Sequence, residues 1–344
     1  MEAIQKRIEA GLEAHSAFVI YRKPGEKKVI SLFRNDRPME SQGSDSFVFT
    51  PFDGQSYELD LSDCDRFETN QWDAKWSAET PELSFDLDQK LHFESIVAKA
   101  VDAIKEGRFD KVVLSRKEVV TLGQSAFEIF SRLLSVYPNA FVSLWNHPET
   151  GCWIGATPER LLKGQNKEFQ TMALAGTQQF QGDESVEWPK KEREEQRLVT
   201  DYIWNTLEPL TQTLVLSEPH THRAGNLLHI KTDISGQMRD ATTLGDLAKA
   251  LHPTPAVCGL PKENAILFIK ENEGYDREFY SGFLGERGEN HCDLFVNLRC
   301  MKISNGQAEL FMGCGITAES NPEKEFFETV NKSLTMKRVL KINS

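Results

Sequence analysis

Residues 294–312 read LFVNLRCMKISNGQAELFM, and the turn inside this stretch decides the fold class. Ser304-Asn305-Gly306 separates two runs rich in Leu, Phe, Val, Ile and Met, a strong signal for a hairpin of antiparallel strands. The pattern predicts strands over Leu294–Ile303 and Ala308–Met312. Working outward, similar runs fall at Phe18–Arg22, Val29–Phe33, Val112–Val120, Phe141–Trp145, Cys152–Ala156, Thr213–Leu216 and Leu227–Ile230. Helical patterns occupy about 88–107, 125–136, 188–207, 240–251, 261–273 and 322–341, and Ile4, Ile8 and Leu12 add one more at the amino end. Strict alternation of strand and helix is missing. The expected class is therefore α+β, with large antiparallel β-sheets and outer helices, in a single domain over 1–344. Residues 36–90, with scattered Asp, Ser, Gly and Pro, form the least regular region. Residues 1–90 thus stand apart from a core over 91–342.

Composition narrows the function classes. The chain has 344 residues, 39% hydrophobic and 27% charged, as in an ordinary globular protein. A net charge of −12 argues against nucleic acid as a partner, because phosphate binding needs a basic surface. No run approaches the roughly 20 apolar residues of a membrane span. MEAIQKRIEAGLEAHSAF lacks the basic head and apolar run of a secretory signal. Cysteines at 64, 152, 258, 292, 300 and 314 include no CxxC pair and have no His at zinc spacing, so they read as reduced thiols of a cytoplasmic protein.

Chemistry is sought where charge falls among apolar neighbours. In Asp110–Val120, DKVVLSRKEVV, Lys111 shares a strand face with Val113 and Ser115. It is either a solvated strand end or a desolvated lysine able to act as a base. Arg299, read as sharing a face with Phe295, Met301 and Ile303, needs a carboxylate or an anionic ligand. The helix at 188–207 carries an apolar stripe of Leu198, Val199, Tyr202, Ile203 and Leu207 that reaches back to Glu195. That carboxylate is either paired or metal-bound, or belongs to a solvated acidic first turn. The last helix opens at Asn321-Pro322, with a core stripe of Phe326, Phe327, Val330 and Leu334. Its other side bears Glu325, Glu328 and Lys332 but runs on into Met336 and Val339, so protein or ligand should cover both sides. Before it, Phe311–Ile316 holds two glycines one residue apart, either a tight turn or a close approach of backbone to an anion.

These residues fall in an ordered set of short motifs: KVVLSR (111–116), GATPERL (155–161), ALAGT (173–177), LHPTPAVCGLP (251–261), Arg299-Cys300, GCGI (313–316) and EFFE (325–328). The set resembles the chorismate-utilising family, which includes isochorismate, salicylate, anthranilate and aminodeoxychorismate synthases, over about 90–342. The resemblance implies that chorismate is the substrate and Mg2+ the cofactor. It implies Lys111 as the base that activates water and Glu159 as the general acid. Glu195 and Glu328 would bind the metal, supported by Glu192 and Glu325. Gly176, Thr177, His252, Ala256, Tyr280, Arg299, Gly313 and Lys332 would line the substrate site, Tyr280 standing where many members have Phe.

Two positions choose among siblings. Amide-transferring members have Gln where Lys111 stands, and aminodeoxychorismate synthases carry a nucleophilic lysine where this chain has Ala175. The resemblance thus implies water as nucleophile, no glutamine amidotransferase subunit, and a monomer. HPTPAVCG is most similar to isochorismate synthases, whose product feeds menaquinone or siderophore biosynthesis. Salicylate synthase, which goes on to eliminate pyruvate, is the alternative, followed by a catalytically silent chorismate-binding homologue.

Overall fold

A computed structural model describes residues 2–35, 45–72, 76, 85–224 and 227–341. Two nine-stranded sheets are formed among the described residues. The first runs in the order Gly259–Leu260, Lys111–Thr121, Gln307–Ile316, Cys300–Ser304, Gly151–Thr157, Phe141–His147, Phe18–Arg22, Val29–Arg34 and Cys64–Thr69. The second runs Thr211–Leu216, Leu227–Met238, Glu168–Gln179, Arg160–Gln165, His291–Val296, Phe283–Arg287, Ser46–Thr50 and Tyr57–Asp60, with His220–Ala224 also paired to Leu227–Met238. Every strand pair is antiparallel, as the hairpin signal predicts.

Alternation along the strands divides the core into layers. Val19 and Tyr21 face an aromatic interior with Phe47, Phe49, Trp145, Trp153, Phe279, Phe295 and Phe311, contributed by both sheets. Phe18 and Ile20, on the opposite face of the same strand, pack with Ile8 and with Ile129, Phe130 and Leu133 of the helix Ala126–Val136. The outer face of the second sheet is covered by Val199, Ile203 and Leu207 of the helix Lys190–Leu207 and by Leu244, Leu247 and Leu251 of Leu244–Leu251. The helices Leu87–Lys105, Lys262–Asn272 and Pro322–Lys337 close over Val112, Leu114, Cys314 and Ile316. The section is helices, sheet, sheet, helices.

Four expectations change. Leu294–Ile303 is not one strand: His291–Val296 belongs to the second sheet and Cys300–Ser304 to the first, and the chain crosses between them at 297–299. Arg299 sits at that crossing with φ +49°, so it shares a strand face with none of Phe295, Met301 and Ile303. Some of the irregular region 36–90 is regular: 46–50, 57–60 and 64–69 are strands on the edges of both sheets. Residues 36–44, 73–75 and 77–84 of that region lie outside the described residues, as does 342. In the last helix Phe327 is exposed, and the buried stripe is Phe326, Thr329, Val330, Ser333 and Met336.

The strand Lys111–Thr121 is anchored by a buried ion pair that the pattern did not single out. The two-residue strand Gly259–Leu260 covers only Lys111 and Val112, leaving the next backbone groups without a neighbouring strand on that side. Arg277 Nη2 donates to the Val113 carbonyl (2.6 Å), and Nη1 donates to the Val257 carbonyl (2.8 Å). The Ser115 amide donates to Glu273 Oε1 (2.6 Å), while Arg277 and Glu273, both buried, grip each other in two places. A buried pair stripped of one member leaves an uncompensated charge, which costs about 3–5 kcal/mol. Arg277→Met should lose that much in denaturant unfolding, and replacing Glu273 with Gln as well should recover part of it. An Arg277→Met midpoint equal to the parent's would refute this anchoring.

Candidate functional site

A cavity of about 710 Å3, counting its mouth, opens where strands of both sheets meet the helices Lys190–Leu207 and Pro322–Lys337. Ten of the residues expected from sequence line it: Glu159, Gly176, Thr177, Glu195, Ala256, Tyr280, Arg299, Gly313, Glu328 and Lys332. Four do not. Glu192, whose stem packs against Gly176, and the buried Glu325 are not part of its lining. His252 is turned aside, its Nε2 bonded to the Pro51 carbonyl (3.0 Å) and its ring edge-on to Phe283. Lys111 is fully buried behind the wall.

What separates Lys111 from the cavity is Gly315. A Cβ at Gly315 would fall 3.2 Å from Lys111 Cε and 2.3 Å from Glu195 Oε1, so only glycine leaves these side chains room. Lys111 Nζ stands 2.9 Å from Glu195 Oε1, ion-pair distance, yet without hydrogen-bond geometry to any partner among the described residues. Its donors therefore remain unspent. Neither glycine of the two-glycine motif makes a tight turn, since both lie within the strand Gln307–Ile316, and the space at Gly315 is filled by side chains of the protein itself.

Glu159 follows the strand Gly151–Thr157, and its main chain accepts from the Val296 amide (3.0 Å) at the start of the sheet crossing. Burial pushes its carboxyl up to about 7, against the opposing pull of Lys111, Lys332 and Arg299. It is thus a proton donor near neutrality. Arg299 Nη1 donates to the Lys332 carbonyl (3.3 Å) and the Thr335 hydroxyl (3.1 Å), neither of them a carboxylate. Burial lowers its pKa. Lys332 Nζ donates to the Gly313 carbonyl (3.0 Å) and pairs with Glu328 Oε1 at 2.7 Å. This i,i+4 pair is thus built into the cavity wall.

Sequence reasoning missed His229, which also lines the cavity. The strands Glu168–Gln179 and Leu227–Met238 lose register between Ala175 and Gln178, a bulge that leaves Gly176 and Thr177 opposite His229. Gly176 has φ +72°, a conformation that favours glycine, and its carbonyl meets His229 Nδ1 at 2.7 Å. Burial and the nearby Arg299 push the imidazole down to about 3. The alternation of LLHIKTDIS marks His229 only as one more strand residue, so no sequence signal pointed to it.

The oxygen donors suit a hard cation such as Mg2+. Glu195 and Glu328 both line the cavity, and Glu192 Oε2 is buried with no hydrogen-bond partner among the described residues. No group of three His, Cys, Asp or Glu side chains among the described residues makes a metal site by itself. Mg2+ needs none, because it commonly takes one or two protein carboxylates together with water and an anionic substrate. Glu328 faces Lys332 through one oxygen, Oε1, of its carboxylate.

The chain is similar to known proteins in sequence and in fold. The chain is 34% identical over 263 residues to a salicylate biosynthesis isochorismate synthase of Pseudomonas aeruginosa, covering 73% of this chain and 55% of that one. It is 32% identical over 265 residues to the isochorismate synthase EntC of Escherichia coli, covering 74% and 68%. Of the first of these relatives, then, it spans little more than half the length. In structure it overlays the menaquinone-specific isochorismate synthase MenF of Escherichia coli with a TM-score of 0.80 at 22% identity, over 94% of this chain and 89% of the other, a likeness of fold. Among the described residues no helix is long and apolar enough to cross a membrane. The model of the chorismate binding enzyme family matches residues 58–341, and the chain belongs to that family.

Proposed function

We propose that this protein is an isochorismate synthase, an isomerase that adds water at C2 of chorismate and releases the C4 hydroxyl. The observation that carries this reading is Glu159, a buried carboxyl that holds its proton to about pH 7 in a cavity backed by Lys111. The reaction needs an acid and a base at two places on one ring. Lys111 takes a proton from water as the new C2–O bond forms, and the ring double bonds shift. The C4–O bond breaks as Glu159 gives its proton to the departing hydroxyl, which leaves as water. Arg299, Lys332, Thr177 and the Tyr280 hydroxyl supply donors for the two carboxylates of the substrate.

Mg2+ would be held by Glu195 and Glu328, with Glu192 and Glu325 behind them, and would draw electron density toward the ring carboxylate. Lys111 stands where the amide-transferring members have Gln, and Ala175, a methyl in the cavity wall, offers no nucleophile; together they favour water and a chain acting without an amidotransferase subunit. A cytoplasmic monomer suits this chemistry. The relatives named as isochorismate synthases support the same reading.

Chorismate with Mg2+ should give isochorismate without pyruvate; salicylate and pyruvate together would instead make the protein a salicylate synthase. Lys111→Ala should abolish turnover with an unchanged circular dichroism spectrum, and full activity in that variant would remove Lys111 as the base.

Because the acid must be protonated, kcat/KM should fall as pH rises through about 7. The same shift has a stability sign. The folded pKa lies above the ordinary value of 4.5, so the burden of burying Glu159 grows between pH 4.5 and 7. Glu159→Gln should therefore be more stable than the parent at pH 8, by up to roughly 3 kcal/mol, and equal to it near pH 4. A gain of the same size at both pH values would contradict the assignment.

Glu328→Gln should need several-fold more Mg2+ for half-maximal activity. An unchanged metal titration would take Glu328 out of the metal site.

A further inference from the structure

The helix Pro322–Lys337 runs on past the cavity that Glu328 and Lys332 line. Its next residues, Asn331, Leu334 and Thr335, together with Arg338 at its end, line a second cavity of about 1670 Å3, counting its open side. Their spacing of i, i+3, i+4 and i+7 places them on one helix face. Arg299 and Pro158 belong to the lining of both cavities, so the two meet at the Arg299 guanidinium. That junction is braced. Arg299 Nη1 donates to the Thr335 hydroxyl (3.1 Å), and the Tyr137 hydroxyl donates to the Thr335 carbonyl (2.8 Å).

The outer cavity is charged in one sense. Arg223, Arg299 and Arg338 line it, with Glu184 as the single carboxylate among the described residues. Glu184 Oε1 lies 3.8 Å from Arg223 Nη1, which leaves Arg299 and Arg338 unmatched by any acid of that lining. Arg338 Nε is buried and has no hydrogen-bond partner among the described residues. A third cavity, of about 850 Å3, adjoins the site on another side through Thr177 and Glu328. Its charges are of the opposite sign, Glu323 and Glu328 against Lys324. A cleft lined by one sign of charge concentrates ions of the other. On the reading proposed above, the substrate is a dianion. We propose that this dianion reaches the inner cavity through the outer one, where Arg338 draws it in and Arg299 receives it. Arg338 stands six residues beyond Lys332, about 9 Å of helix rise, so it acts on the approach and not on the reacting atoms.

The test is steady-state turnover of chorismate by the full chain with Mg2+ at several ionic strengths. Arg338→Gln should lower kcat/KM about fourfold at low salt, the attraction in water of one charge for a dianion about 9 Å away. That loss should fall on KM and not on kcat, and it should fade near 1 M salt, where screening acts within about 3 Å. Arg338→Lys should match the parent, and Arg338→Glu should lose more than Arg338→Gln. A second measurement locates the path. Asn139 lines the outer cavity and Lys324 the third, and both are exposed. Asn139→Cys and Lys324→Cys are each coupled to a bulky maleimide, with the parent given the same reagent because Cys64 is half-buried. The label should remove most of kcat/KM in Asn139→Cys and little of it in Lys324→Cys. The reverse, or loss at neither position, would overturn the path. So would an Arg338→Gln deficit that persists at high salt or falls on kcat. A parent protein that turns over no chorismate would overturn the proposed function; a parent that does, with these variants unaffected, would overturn this inference alone.

Discussion

The cavity is set out by one antiparallel register, in which the strand Lys111–Thr121 meets Gln307–Ile316 with Val113 opposite Gly315 and Ser115 opposite Gly313. A slip of one residue would turn every side chain of one strand to the other face. Lys111 would then leave the space behind Gly315, and Leu114 and Val112 would lose their contacts with the outer helices. The register is held by ten paired positions and, at the end nearest the cavity, by Arg277 and Glu273, which meet the backbone groups the sheet leaves unpaired. That ion pair thus fixes the strand carrying the proposed base without itself entering the cavity.

Charge in the cavity runs against the charge of the whole. The chain carries a net −12, yet Lys111, Arg299 and Lys332 gather in or behind the cavity wall, where Glu159 and His229 are held neutral. Basic side chains around a poorly screened cavity favour an anion. Burial produces both neutral forms, raising the carboxyl and lowering the imidazole. The same desolvation therefore sets the protonation of the proposed acid and prevents the imidazole from becoming a further cation.

The sequence made legible what repeats locally. The turn at Ser304–Gly306 showed antiparallel pairing, the helices appeared at their predicted positions within a few residues, and odd charges led to Lys111, Glu195 and Arg299. What failed is non-local. The apolar run through Val296 to Cys300 reads as one strand because alternation carries no mark of which sheet a residue joins, and Arg299 was given the wrong neighbours. The edge strands 46–50, 57–60 and 64–69 are short and are completed by partners distant in sequence, so their composition resembles loops. Glu273 and Arg277 look like a helix end and a loop, and His229 looks like a strand residue. Each acquires its meaning from a backbone group far away in sequence.

On the proposed reading, the choice of nucleophile rests on what the bulged strand does not carry as much as on what it does. Ala175 is the last residue in regular register before the bulge, with its methyl in the cavity wall, 8% exposed. A longer amine there could attack the ring directly; a methyl leaves the attack to a small molecule activated from elsewhere. Lys111 can do that only from beside Gly315, where the missing Cβ lets its side chain pack against the cavity wall. A fixed lysine packed against a glycine and a methyl on the bulged strand therefore act together: the base stands at the edge of the cavity, while its amine is kept from bonding to the ring itself. Water is small enough to sit between them, and that steric filter separates hydroxyl transfer from covalent capture by the enzyme.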